Sequence, residues 1–204
     1  MADIRNPGED KAWDILTTAN PDAVCKAAAV IYDAQASVYT VKSFGMDFIV
    51  SVKDKAMSSS TEGSGILLQK LSYFFRLSLL WYLVSAKDLA CSGRPIKLSE
   101  IRGGEIFTTG SHRLPLDLVA GKYGRDKQAF IEKGSQLGGE LVMMQGDASI
   151  KFFPLPRIPV ILSLWLEDEE FPSHADLLFD STCSLQLPTD IVWSIAMMTV
   201  LVMG

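Results

Sequence analysis

The chain has 204 residues, 48% of them hydrophobic and 21% charged, which is enough for one generous core and excludes wholesale disorder. Its net charge of −5 is unevenly placed: residues 1–150 carry 17 basic and 17 acidic side chains, residues 151–204 two basic and seven acidic. With no basic stripe for phosphates and no polybasic segment for anionic lipid, nucleic acid and membrane surfaces are not expected partners.

In chain order, residues 9–18 read as a short helix with Trp13 and Leu16 facing inward, and Pro21 opens a second one over residues 22–29. Residues 37–44 and 46–53 alternate around Gly45, which signals a hairpin. Residues 55–65, rich in Ser and Gly, read as a flexible surface connector. Leu67, Leu71, Phe74 or Phe75, Leu79 and Tyr82 recur at three- and four-residue steps, so residues 66–86 form the long central helix. A short strand is expected at 96–101, a turn at Gly103 and Gly104, and a helix at 116–123 behind Pro115. Asp126 caps a further helix to Leu137, closed by Gly138 and Gly139. Residues 140–145 and 149–153 read as strands joined at Gly146-Asp147, after which the prolines of 154–159 break the chain. Residues 160–166 run apolar without alternation, as a strand buried on both faces does. A short strand at 177–179 and an apolar helix from Pro188 to the end complete the list. The expected fold is α+β: one domain over 1–204, a mostly antiparallel sheet, and the central and C-terminal helices packed on it.

Cys25, Cys91 and Cys183 are too few and too scattered for a disulfide framework or a paired-thiolate metal site. The N-terminus has no apolar run, and no apolar stretch reaches the roughly 20 residues of a membrane span, so a cytoplasmic protein is expected. The glycine fingerprints of dinucleotide and phosphate-loop sites, the nucleophile elbow and the paired-histidine zinc motif are all missing.

The densest chemical signal is the run from Trp165 to Pro172. Glu167, Asp168, Glu169 and Glu170 follow the most buried strand, with Phe171 beside them. Paired carboxylates at a strand end can bind a hard cation, hold a cationic group or transfer a proton. Asp180 likewise ends an apolar strand, and if the two strands are neighbours their acidic ends are expected to share one cleft. His112 and Arg113 lie in a loop just before a proline-started helix, a place suited to receiving an anion.

The strings Leu137-Gly-Gly139, Gly146-Asp-Ala148, Leu155-Pro-Arg-Ile-Pro-Val160, the Leu164–Pro172 run and Leu178-Phe-Asp180 make the chain resemble domain-of-unknown-function family 3786. The resemblance extends from about Ala29 to Asp190 and implies a family of anaerobic bacteria and archaea. Some of its members are associated with iron–sulphur and corrinoid methyl-transfer proteins of one-carbon metabolism. By that association it implies an accessory role, handling a corrinoid or related cofactor or a protein partner. The cysteine-rich module of some relatives is missing, and Asp190 stands alone where relatives tend to have an acidic pair. Three functions therefore remain open. One is a binding or accessory protein whose ligand meets Trp165, Asp168, Glu169, Glu170, Phe171, Asp180, His112 and Arg113. The second is a small enzyme using Asp168, Glu169 or Glu170 as acid, base or metal ligand. The third is a structural subunit with the C-terminal helix as interface.

Overall fold

The computed structural model describes residues 7–108 and 110–204. It is α+β, with two wholly antiparallel sheets and seven α-helices among the described residues. Helix α1 (Pro7–Thr18) buries Ala12, Trp13 and Leu16. It is tied to the central helix by Glu9, itself buried, whose carboxylate accepts from Arg76 Nε at 3.0 Å. Helix α2 (Pro21–Ala28) starts where Asn20 accepts the N–H groups of Asp22 and Ala23.

Strands β1 (Ile31–Asp33), β2 (Val38–Ser43), β3 (Met46–Ser51) and β4 (Ala56–Ser58) form a four-stranded meander. The predicted hairpin is its centre, turning on Phe44 and Gly45, both at positive φ. Phe44 tolerates that conformation because its ring is buried and its N–H donates to Phe153 O at 3.0 Å. Gly45 meets Gly138 so closely that a Cβ on Gly138 would stand 2.7 Å from the Gly45 Cα. This contact, with Ser43 Oγ donating to Pro154 O, joins the meander to the second sheet. The segment expected as a connector begins with β4, paired to β3, and Ser59 Oγ donates to Asp47 O just beyond it. A Ser- and Gly-rich composition therefore did not prevent strand pairing.

The central helix starts with a π-helical turn, Ile66–Lys70, where Leu71 N–H reaches back five residues to Ile66 O. Only then does α3 (Ser72–Ser85) run on, packing against α1, α2 and the C-terminal helix α7 (Thr189–Met203). Ten of the fifteen residues of α7 are buried, so that apolar tail is core. Among the described residues no helix is long and apolar enough to cross a membrane.

The second sheet has the order β5-β9-β8-β7-β6, with β5 Pro95–Lys97, β6 Glu140–Val142, β7 Ala148–Leu155, β8 Ile158–Trp165 and β9 His174–Asp180. The prolines of 154–159 do not break the chain. Pro154 lies where the β7–β8 register shifts, and Pro156-Arg157 is the hairpin turn itself. As expected, β8 is central and six of its eight residues are buried. Its inward row, Ile158, Val160, Leu162 and Leu164, is fully enclosed. On the other face Ser163 is enclosed through a hydroxyl pair with Ser149 at 2.7 Å, while Ile161 and Trp165 stay half-buried. Helices α4 (Leu116–Tyr123) and α5 (Lys127–Gln136) cover β9 and β7, and the short α6 (Cys183–Gln186) leads into α7. Asp126 caps α5 by accepting from Ala129 N–H, as its position before the helix predicts.

Candidate functional site

Strand β9 organises the chemistry of the molecule because both ends border a cleft. It runs antiparallel to β8, with His174 opposite Trp165 and Phe179 opposite Val160. Asp180 therefore lies at the far end of the sheet from the acidic run, about 20 Å along the strand. The shared acidic cleft expected from the sequence does not form: the strands are neighbours, but their directions oppose.

At the Asp180 end, a segment without regular structure (residues 86–94) crosses the sheet and is held from three sides. Asp180 Oδ1 accepts from Ser92 N–H, Ser92 Oγ, Thr182 N–H and Thr182 Oγ1, and Oδ2 accepts from Gly93 N–H at 2.7 Å. Burial pushes this carboxyl upward, but the donors from Thr182, Ser92 and Gly93 outweigh it and hold the group at about 2. Gln186, also buried, binds Lys87 N–H and O. Arg157, from the Leu-Pro-Arg-Ile-Pro string, donates to Ala27 O, Lys26 O, Leu89 O and the Asp88 carboxylate. Its guanidinium thus caps the C-terminal carbonyls of α2 and clamps the crossing segment in one grip. The cleft here is small, about 130 Å³, and lined by Cys91, Gly93, Pro95, Lys151, Ile161 and Asp180 among others. Desolvation of the sulfur and the charge of Asp180 raise the Cys91 thiol, which works against thiolate chemistry.

The acidic run occupies the exposed β8–β9 loop. Asp168 accepts the N–H groups of Glu170 and Phe171, and its own N–H donates to Phe171 O, so it shapes the turn. Those donors push its carboxyl downward. Glu167 pairs with Arg125, Glu169 and Glu170 face solvent, and Phe171 is 64% exposed. Neither cleft bordering β9 is lined by these residues. Among the described residues no group of three His, Cys, Asp or Glu is placed to hold a metal ion.

At the His174 end the arrangement differs. Strand β5 covers only Leu178–Asp180, so among the described residues the edge of β9 from His174 to Leu177 is left without a partner strand. A cleft of about 300 Å³ occupies that notch. Its walls come from Lys97–Ser99, Phe107, Arg113–Asp117 and His174–Leu177. Two ion pairs stand in it: Lys97 Nζ to Asp176 Oδ2 at 2.8 Å, and Arg113 Nη2 to Asp117 Oδ2 at 3.6 Å. Asp176 also accepts the N–H of Leu177, and its hydrogen bond raises the Lys97 ammonium. The His174 ring stacks on Trp165, centroids 4.3 Å apart and planes 11° from parallel.

Of the residues singled out in the sequence, Arg113 lines this cleft and Trp165 touches it only through its stack on His174. His112 turns instead toward Phe107 and Trp193, whose indole N–H donates to His112 O at 2.8 Å. Lys97, Asp117 and Asp176 were not anticipated. A signal existed: alternation through His174-Ala-Asp-Leu-Leu places His174 and Asp176 on one face, but the strand was expected to begin only at Leu177.

Residues 20–201 match the model of a family described as "Domain of unknown function (DUF3786)". No curated protein and no solved structure matches the chain.

Proposed function

This chain belongs to the DUF3786 family, and from that premise we propose that it is a binding or accessory protein holding a small polar ligand at the start of β9. One observation carries the reading: the charged groups of the 300 Å³ cleft, Lys97, Arg113, Asp117 and Asp176, keep solvent contact beside an apolar floor of Leu98, Leu114 and Leu116. A concave apolar surface with a few convergent polar groups is what ligand sites share. Two of the acids that suggest chemistry elsewhere are spent on the fold. Asp180 accepts five donors, and Asp168 closes a turn. A proton-transferring carboxyl needs its pKa moved up toward the working pH, and both are moved down. This weighs against proton transfer by Asp168 or Asp180. A corrin macrocycle exceeds a cleft at the lower bound of ligand pockets, so the family's corrinoid association gains nothing from it.

A thermal-unfolding screen of small organic acids, amines and amino acids tests the proposal. A stabilising compound at saturating concentration is expected to raise Tm by several degrees, and to lose that effect in the double variant Lys97→Ala/Arg113→Ala. Stabilisers equally effective on the variant, or none at all, overturn it.

A second reading is a docking edge for a protein partner, here a second copy. It is favoured by Leu141, 60% exposed in edge strand β6, and Met143, fully exposed just beyond it. Light scattering decides it: self-association abolished by Leu141→Lys supports it, and a monomer at every concentration contradicts it.

A further inference from the structure

Within the cleft at the start of β9, and resting on its being the ligand site, the charges are balanced as well as convergent. Lys97 and Arg113 supply two cations, Asp117 and Asp176 two anions, all lining one 300 Å³ notch. A simple anion placed against Arg113 would lie beside the Asp117 carboxylate, and a simple cation against Asp176 would lie beside the Lys97 ammonium. Each would meet as much repulsion as attraction. A molecule carrying an ammonium and a carboxylate on one carbon meets neither penalty.

We infer that the cleft recognises a zwitterionic α-amino acid with an apolar side chain. Its carboxylate takes the guanidinium of Arg113, its ammonium takes Asp117 or Asp176, and its side chain lies on Leu98, Leu114 and Leu116.

Three further observations fit. The Arg113–Asp117 pair is long, at 3.6 Å, with its side chains 67% and 86% exposed, so the planar fork of the guanidinium is open to a bidentate carboxylate. Exposed ion pairs contribute little, so exchanging that pair for ligand contacts costs little. The His174–Leu177 edge of β9 pairs with no further strand among the described residues and borders the same notch, with the Leu177 N–H taken by Asp176.

Isothermal titration calorimetry of the full chain tests this with three probes sharing one side chain: L-leucine, 3-methylbutylamine, which lacks the carboxylate, and 4-methylpentanoate, which lacks the ammonium. Leucine is expected to bind at least about ten-fold more tightly than either analogue, and about ten-fold less tightly to Arg113→Ala, the loss of one charged hydrogen-bonding group. If either analogue binds as well as leucine and Arg113→Ala weakens it, the zwitterion inference falls while the cleft remains the ligand site. If leucine binds equally well to Arg113→Ala and Asp117→Asn, the inference falls because binding is elsewhere. If none of the three binds, it falls as well, and the thermal screen alone decides the cleft.

Discussion

The two ends of β9 use similar residue types in opposite ways. At its C-terminal end, Asp180 is 7% exposed and its two oxygens accept five donors, while Arg157 and Gln186 fasten the same crossing segment by carbonyls and amides. At its N-terminal end, Asp176, Lys97, Arg113 and Asp117 form two solvent-contacting pairs around a larger cleft. A buried carboxylate that accepts five donors is an element of the fold, because losing it leaves those donors without their acceptor. An exposed pair over an apolar floor can exchange partners cheaply. An acid at a strand end is therefore not a site by type; what its oxygens already bind decides.

That contrast is broken or sharpened by substitution. The largest effect is expected from Asp180→Ala, which strands the N–H groups of Ser92, Gly93 and Thr182. Urea denaturation should show a loss of about 4 kcal/mol. Arg157→Ala should cost about 2.5 kcal/mol by the same measurement, and Arg157→Lys should recover little, since an ammonium cannot reach four acceptors in a plane. Acid unfolding probes the same end. The folded-state pKa of Asp180 is depressed from 3.8 to about 2, so its contribution is fully present above the unfolded value and lost as pH falls through the folded one. The amount is roughly 2 kcal/mol, fading between about pH 4 and pH 2, and Asp180→Asn should flatten that limb of the stability profile. The smallest effect belongs to the other end: Arg113→Ala should shift stability by less than about 0.5 kcal/mol while removing ligand stabilisation. Equal costs at both ends would erase the distinction between them.

Much of the fold was legible in the sequence because it rests on local patterns. The Gly45 hairpin, the helix starts at Pro21 and Asp126 and the enclosed strand 160–166 each follow from spacing or from one residue's conformational preference. What escaped depends on partners distant in the chain. Strand β4 forms because β3 offers an edge, not because Ala56-Met-Ser58 favours extension. The turn at Pro156-Arg157 exists because the Arg157 side chain finds carbonyls about 130 residues earlier in the chain. The site was half legible. Arg113 and Trp165 were singled out and reach the cleft region, but Asp168, Glu169, Glu170 and Phe171 lie in an exposed loop, and Asp180 is sequestered at the opposite end. Charge density marked where the chain leaves the core, and strand direction, which composition does not encode, separated the acids.

The most direct test of the division along β9 is an amide chemical-shift map recorded while the best compound from the thermal screen is titrated in. The account predicts perturbations centred on Lys97–Ser99, Arg113–Asp117 and His174–Leu177, with Ser92, Gly93 and Thr182 unmoved. Perturbations centred on residues 91–95 and Lys151 would contradict it.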